Sequence, residues 1–117
     1  MPNFSERSSN LLGTCDSDLI RLFTEVIKYY DCKITDGHRG KVAQNAAYRD
    51  DKSDYEYPLS AHNKTPSRAI DVCPYPIDYE DRERFIFFRG LVSGIAYTMN
   101  IRLKPTIDWD LMHYELA

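Results

Sequence analysis

Apolar residues recur at helical spacing in two segments of the chain. In residues 17–30 the i, i+3, i+4 spacing predicts a first helix with Asp16 or Ser17 as N-cap, and its apolar stripe contains Leu19, Leu22, Phe23, Val26, Ile27 and Tyr30. A longer helix is predicted after Asp78, which can cap it, with a first turn whose acidic residues favour a helix N-terminus: Glu80, Asp81 and Glu83. Its stripe contains Phe85, Phe88, Leu91, Val92, Ile95 and Met99. We expect both stripes to face the core.

Shorter segments show the period-two alternation of strands. In residues 69–73 two branched aliphatic residues face the expected core, and a carboxylate lies between two small side chains on the other face: Ile70 and Val72 against Ala69, Asp71 and Cys73. The same alternation separates His113 and Glu115 from Tyr114 and Leu116 and predicts a closing strand. Residues 32–35 are predicted to form another short strand, and residues 101–103 are a candidate strand that ends at Pro105.

The remaining segments connect these elements. We expect an extended lead-in over residues 1–16, and a helix over residues 40–49 whose apolar side contains Val42, Ala43, Ala46 and Ala47. Residues 50–59 are polar and contain tyrosines, which indicates a loop. Gly90 and Gly94 lie four residues apart and predict close packing of the long helix against a neighbour. Helices and short strands in this order predict an α+β fold, with a small antiparallel sheet packed with about three helices.

Length and composition restrict the class of protein. A chain of 117 residues, 43% hydrophobic and 28% charged, is expected to form one soluble domain over residues 1–117. The net charge of −3 gives no basic stripe for nucleic acid. The N-terminus lacks the apolar run of a signal peptide, and no segment has the roughly 20 apolar residues of a membrane helix. The three cysteines, Cys15, Cys32 and Cys73, are expected to be buried, reduced thiols of a protein made in the cytoplasm.

Candidate chemistry is concentrated in two segments, residues 60–71 and 108–116. His62, Asp71 and His113 are two imidazoles and a carboxylate, the ligand set of a catalytic zinc, which uses three protein ligands and keeps one position open. Asp110, three residues before His113, is then the candidate proton carrier. Taken alone, the spacing His-x8-Asp with a distant His is also compatible with surface residues.

Several motifs occur together in the order of a known family. The segment from Ser60 to Tyr79, with the residues SAHNKTPSRAIDVCPYPIDY, resembles the phage branch of the M15-type zinc peptidases, which include D-Ala-D-Ala carboxypeptidases and L-alanyl-D-glutamate endolysins. Gly37-His38-Arg39-Gly40, followed by Gln44, is similar to the family's Gly-x-Arg-x-x-x-x-Gln segment, and residues 110–116, DLMHYEL, are similar to its Asp-Leu-Pro-His-Phe-Glu-Leu ending. The similarity extends over nearly the whole chain.

The resemblance implies an M15/Hedgehog-like zinc peptidase fold and a set of roles. His62, Asp71 and His113 become the Zn²⁺ ligands, and Asp110 becomes the catalytic acid/base. Arg39 matches the arginine that binds or polarises the substrate carbonyl, and Ser60 matches a serine beside the site that is assigned to substrate binding. Glu115 and Asp108 are rival bases, and Glu115 is also a candidate to orient His113 from outside the ligand set.

The same resemblance implies a biological setting. It indicates a monomeric peptidoglycan hydrolase of phage or prophage origin that cleaves stem peptides at an L-Ala–D-Glu or a D-Ala bond. Such an enzyme is made in the host cytoplasm and reaches the wall through a holin or in the virion, without inserting into the membrane.

Two departures from the family pattern stand out: the first supports an alternative, and the second is expected to alter only local backbone stiffness. Relatives carry a loop of the kind Trp-Gly-Gly-Asp-Trp before the final Asp-x-x-His, whereas only residues 102–109 separate Ile101 from Asp110 here. Met112 stands where the family commonly has proline. The alternative is a catalytically inactive wall-binding or virion structural module that keeps the fold.

Overall fold

The fold is a three-stranded antiparallel sheet with helices packed around it, seen in a computed structural model that describes residues 2–105 and 108–117. The strand order is β1-β2-β3, so β2 is central and β3 is an edge strand. The elements in chain order are α1 (Glu6–Leu12), α2 (Ser17–Val26), β1 (Cys32–Asp36), α3 (Lys41–Arg49), a 3₁₀ turn (Ala61–Asn63), β2 (Ala69–Pro74), α4 (Arg82–Thr98) and β3 (His113–Glu115). The α+β class is as expected, with four α-helices instead of about three.

The core lies between the sheet and the two helices α2 and α4. The helices pack against each other, and α4 packs on β2. Ile70 and Val72 of β2 are fully buried in this core, as the alternation predicts. The predicted first stripe is also buried from Leu19 to Ile27, although α2 ends at Val26 instead of Tyr30.

The extended lead-in predicted for residues 1–16 is wrong. Residues Glu6–Leu12 form α1, which Ser5 caps by accepting a hydrogen bond from the Ser8 amide at 3.1 Å. The Ser8 hydroxyl is buried and accepts a hydrogen bond from the Ile34 amide at 3.1 Å. A serine therefore attaches α1 to β1, where a hydrophobic-pattern argument looks for an apolar residue.

The predicted apolar side of α3 is also wrong. Val42 is 86% exposed, and the buried residue of this helix is Gln44, which is fully enclosed. Burial of Gln44 is possible because its side-chain oxygen and nitrogen are both hydrogen-bonded to neighbouring segments.

Helix α4 differs from the prediction in its start and its packing. Its N-cap is Asp81 instead of Asp78, and a Cβ on Gly90 or Gly94 would meet no atom within 4 Å, so these glycines do not mark close packing. The buried face includes Arg89 and Ala96, whereas the predicted Leu91, Ile95 and Met99 are only half-buried.

The candidate strand at residues 101–103 does not form. Leu103 makes an isolated bridge to Leu116 instead. Thr106 and Ile107, in the short segment before Asp110, lie outside the described residues. Within the described part of the chain, no helix has the length and apolar character needed to cross a membrane.

Candidate metal site

The central strand β2 brings together the two segments that contain the candidate ligands, residues 60–71 and 108–116. Asp71 of β2 lies opposite His113 on one side and opposite Asp36 on the other. Directly opposed residues of antiparallel strands have Cβ atoms only about 4.5–5.5 Å apart. A register shift in β1 between Ile34 and Asp36 places Asp36, instead of Thr35, opposite Asp71. The bulge therefore adds a second carboxylate to the end of the sheet that carries Asp71.

His62 reaches the same place from the 3₁₀ turn. Ser60 caps this turn: its hydroxyl accepts a hydrogen bond from the His62 amide at 3.2 Å, and its own amide donates to the Asn63 side chain at 3.0 Å. The Arg39 amide donates to the His62 carbonyl at 2.8 Å. Short-range capping and one bond to the β1–α3 connection thus fix a histidine that lies in neither an α-helix nor a strand.

The three predicted ligands form a compact group. Asp71 Oδ1 lies 3.4 Å from His62 Nε2 and 3.3 Å from His113 Nδ1, and the two imidazole rings are 5.2 Å apart. One donor atom from each residue lies within 4.8 Å of the others, so the group could hold a metal ion. His62 and Asp71 are buried and His113 is half-buried. The structure brings together all three residues expected from the sequence.

The hydrogen bonds of His62 leave one nitrogen ready for a cation. Its Nδ1 lies 2.7 Å from the Gly37 carbonyl oxygen, which can only accept, so Nδ1 carries the proton. In the neutral ring Nε2 then bears a lone pair, and this atom is buried without a hydrogen-bond partner. Its 3.4 Å approach to Asp71 brings two acceptors together. A metal ion between them would satisfy both atoms, and the donor set therefore fits the expected group.

His113 has an outer partner that orients its other nitrogen. Nε2 lies 3.1 Å from Glu115 Oε1, and the second oxygen of Glu115 lies 2.5 Å from Lys104 Nζ. A histidine that ligates a metal commonly donates its other N–H to a carboxylate in this way. Burial lowers the pKa of His113, but the hydrogen bond that it donates to Asp71 and the neighbouring charges outweigh it and raise the pKa.

Asp71 is held as a carboxylate. Burial raises its pKa, but the hydrogen bond that His113 donates and the close approach of His62 have the larger combined effect and hold the pKa well below its ordinary value. The Arg39 guanidinium also lies 3.8 Å from Asp71 Oδ2. A buried carboxylate that stays ionised is the form that binds a cation.

Arg39 lies beside the three-residue group, and most of its side chain is engaged. It pairs with Asp36 at 2.7 Å and donates to Gln44 Oε1 at 3.0 Å, with only 12% of the side chain exposed. Gln44 Oε1 also accepts from Asn63, and its nitrogen donates to the Tyr55 carbonyl at 2.6 Å. This network joins Arg39 to the His62 turn and to the loop at residues 50–59.

Asp110 lies in the cleft next to the histidines and is half-buried. Its backbone carbonyl accepts a hydrogen bond from the His113 amide at 3.2 Å. Burial and the charge of Asp71 raise the pKa of Asp110, against the lowering effect of His113, His62 and Arg89. A raised pKa favours a group that must both accept a proton and return it.

The other acids near this position are less suited to that role. Glu115 is paired with Lys104 and His113, which lower its pKa although burial raises it. Asp108 is exposed. Cys73 is buried, and its sulfur lies 3.6 Å from Met112 Sδ, outside the group of possible ligands.

One cleft contains the whole arrangement. It is lined by all three members of the His-Asp-His group and by Asp110, Arg39 and Ser60. Tyr55, Trp109 and Lys104 line its outer part. The cleft thus combines buried polar residues with the exposed aromatic side chains of Tyr55 and Trp109.

Comparison with known proteins gives a match at the level of the fold. No protein-family model and no curated protein matches the sequence. Among solved structures, the crystal structure of the Serratia marcescens L-Ala D-Glu endopeptidase ChiX is similar, with a TM-score of 0.80 at 20% sequence identity. The match covers 98% of this chain and 90% of ChiX. The chain therefore has the fold of a peptidase, while membership of the M15-type family remains a prediction from its motifs.

Sequence reasoning missed several residues that build the site. Asp36 and Asn63 hold Arg39 and the His62 turn, and Arg89 binds the segment that carries Asp110 and His113. A signal for Arg89 was present, because it lies four residues after Phe85 and three before Val92, on the apolar stripe of α4. A single cation within such a stripe indicates a buried partner.

Proposed function

We propose that the chain is a zinc-dependent peptidase that cleaves peptidoglycan stem peptides, of the kind found in phage or prophage endolysins. The observation that carries the proposal is the convergence of His62, Asp71 and His113 with a buried, unpartnered Nε2 on His62. Two imidazoles and a carboxylate suit zinc. The fold similarity to an L-Ala D-Glu endopeptidase supports the peptidase class, because L-Ala–D-Glu is a bond of wall stem peptides.

Each residue has a role in this proposal. His62, Asp71 and His113 would hold zinc, which would supply a Lewis acid able to polarise a peptide carbonyl and make water more acidic. Asp110 takes the proton of the attacking water and returns it to the leaving amine. Arg39, which lines the cleft, binds the substrate carbonyl and helps to stabilise the developing oxyanion. Ser60 borders the substrate, in addition to capping the His62 turn.

The proposed substrate is a stem peptide cut either at L-Ala–D-Glu or at a D-Ala bond. Mass spectrometry of purified peptidoglycan after incubation separates these products. A new D-Glu amino end identifies the first, and release of D-Ala identifies the second. The samples compare the zinc-stripped protein, the zinc-restored protein, Asp110→Ala and Asp108→Ala.

We expect new peptide ends that disappear on stripping, return with zinc and are absent with Asp110→Ala. Asp108→Ala is the matched control, since it removes an exposed acid two residues away. Loss of activity in Asp108→Ala with retention in Asp110→Ala would reverse the assignment of the base.

The alternative is an inactive wall-binding or virion structural module. It is favoured by the short segment of residues 102–109 before Asp110, where relatives have a longer loop that contributes to the substrate groove. A zinc-loaded protein that sediments with peptidoglycan of several chemotypes but releases no fragment would establish this alternative.

A further inference from the structure

Arg89 is a buried cation placed behind the segment that carries both His113 and Asp110. It lies on α4 with 6% of its surface exposed. Its NH1 donates to the carbonyls of Leu111 at 3.1 Å and His113 at 2.5 Å, and its guanidinium lies 4.3 Å from the centre of the Tyr114 ring. Burial of a charged group is costly unless its hydrogen bonds are made. The position of Arg89 therefore calls for a reason beyond packing.

The strand pairing explains why this cation is needed. The Val72 amide donates to the Met112 carbonyl at 2.9 Å, so these two residues form a hydrogen-bonded pair of the ladder. Pairs alternate along antiparallel strands, and the next pair, Asp71 and His113, is therefore a non-hydrogen-bonded one. The backbone N–H and C=O groups of these two residues point away from each other. Because β3 is an edge strand of the described sheet, the backbone N–H and C=O of His113 that point away from β2 have no neighbouring strand to pair with. Its amide donates to Asp110, and its carbonyl accepts from Arg89.

This arrangement links two functional side chains through one guanidinium. Residues Leu111 and Met112 form a turn between Asp110 and the strand, and Arg89 bonds to the backbone on both sides of Met112. The guanidinium therefore restrains the distance between the histidine of the metal group and the proposed proton carrier. A lysine at this position keeps the charge and donors for a carbonyl, but lacks the flat guanidinium that lies over the Tyr114 ring.

We propose that Arg89 is a positioning residue, which fixes the turn from Asp110 to His113 so that the proton carrier and the metal ligand keep one geometry. The inference rests on the proposed function, because it assigns Arg89 to that reaction without contact to substrate. Its effect is on the chemical step instead of substrate binding. Misplacement of a proton carrier by a fraction of an ångström lowers kcat and leaves the substrate contacts in place.

The test compares three variants. Arg89→Met keeps an apolar stem and removes the donors, and Arg89→Lys keeps the charge and one donor group. Val92→Ala is the matched control, because it opens the core three residues further along the same helix and leaves the Arg89 bonds to Leu111 and His113 in place. All are assayed below the temperature at which circular dichroism detects unfolding.

The first readout is amide hydrogen exchange, which needs no activity. In the metal-free protein we expect Arg89→Met to speed exchange of the His113 amide at least tenfold relative to the amides of β1. Arg89→Lys should give a smaller effect, and Val92→Ala should change both regions together. Equal protection of His113 in Arg89→Met and wild type would overturn the proposal.

The second readout is the split between kcat and KM of the zinc-restored protein. We expect Arg89→Met to lower kcat at least tenfold with KM within about twofold, and Arg89→Lys to recover part of the loss. A loss of the same size in Val92→Ala would assign the effect to general stability and overturn the proposal. If wild type hydrolyses nothing, the proposed function fails, and the exchange experiment still decides whether Arg89 holds the turn.

Discussion

His62 and Gly37 are joined by a hydrogen bond of 2.7 Å between the ring Nδ1 and the backbone carbonyl. The bond decides which nitrogen of His62 is free to meet a cation. Gly37 itself is held tightly: a Cβ at this position would lie 2.5 Å from the Leu11 carbonyl oxygen and 2.6 Å from Thr14 Oγ1. The orientation of a candidate ligand thus depends on a residue without a side chain.

Gly37→Ala should therefore weaken both the fold and metal binding. The new methyl group must displace the Leu11 backbone, which overpacking data place at about 1–3 kcal/mol of lost stability. A shift of Gly37 itself would also weaken the hydrogen bond between its carbonyl and His62 Nδ1. Urea unfolding and zinc affinity measure the two effects. Gly94→Ala is the control: the position is open, and the substitution should add about 0.5–1 kcal/mol of stability because alanine favours a helix.

Zinc should stabilise the folded protein by mass action. A ligand at 100 times its dissociation constant adds about 2.7 kcal/mol to the free energy of unfolding. We expect Tm to rise with added zinc, and the rise to be lost in His62→Gln. His38→Gln is the matched control, since His38 bonds to Thr65 outside the His62, Asp71 and His113 group. An equal response in both variants would move the zinc site elsewhere.

Glu115→Ala should reduce zinc affinity about 10–100-fold, because outer partners of a ligating histidine commonly contribute that much. The cause is loss of the carboxylate that faces His113 Nε2 at 3.1 Å. Competition with a chromophoric chelator measures the change. Glu80→Ala removes an exposed acid ahead of α4 and should leave the affinity unchanged. A fully retained affinity in Glu115→Ala would show that His113 is oriented without it.

The three thiols should resist alkylation in the native state. Burial raises the pKa of Cys15 to about 11 and that of Cys32 to about 12, and burial also raises the pKa of Cys73. At pH 8 the fold therefore holds almost no thiolate, which is the reactive form. Mass spectrometry after iodoacetamide treatment should find no adduct on the folded protein and three adducts in denaturant.

The same thiols should make the free energy of unfolding fall at alkaline pH. Their pKa values are higher in the folded state than in the unfolded state, so the unfolded chain binds fewer protons above pH 9. Stability is therefore fully present below pH 9 and falls as pH rises toward 11, by about 1.4 kcal/mol per pH unit for each of Cys15 and Cys32. Urea unfolding of wild type and of Cys32→Ser at pH 8 and pH 10 tests this. The variant should have the weaker pH dependence.

Gln44→Ala should cost about 1–3 kcal/mol, because it leaves buried groups of Arg39 and Asn63 without their shared acceptor. Val42→Ala on the same helix is exposed and should change stability by less than about 0.5 kcal/mol. The free energy of unfolding from urea titration compares the two. A neutral Gln44→Ala would mean that the polar network is not a source of stability.

The sequence predicts the three candidate ligands better than it predicts the residues that hold them in place. Alternation alone separates Asp71 from Ile70 and Val72, and the motifs around His62 and His113 predict the three residues that the fold brings together. These features are local in the sequence, and a two-residue period or a short motif is enough to express them.

The residues that hold the site in place depend on tertiary hydrogen-bond partners, and a local sequence pattern does not identify those partners. Ser8, Gln44 and Arg89 are polar residues whose burial is possible only because distant backbone groups pair with them. The bulge at Thr35 depends likewise on pairing with β2, since a single strand has no register. A rule that assigns polar residues to the surface is wrong at each of these positions.

The alternation of β2 also makes assembly of the site a test of correct folding. A slip of one residue against its neighbours would turn Asp71 toward the core and expose Ile70 and Val72 to the cleft. Such a molecule would bury an unpaired charge and would have lost its central ligand at the same time. Errors in pairing and errors in metal binding therefore coincide, and a well-folded but misaligned population should not accumulate.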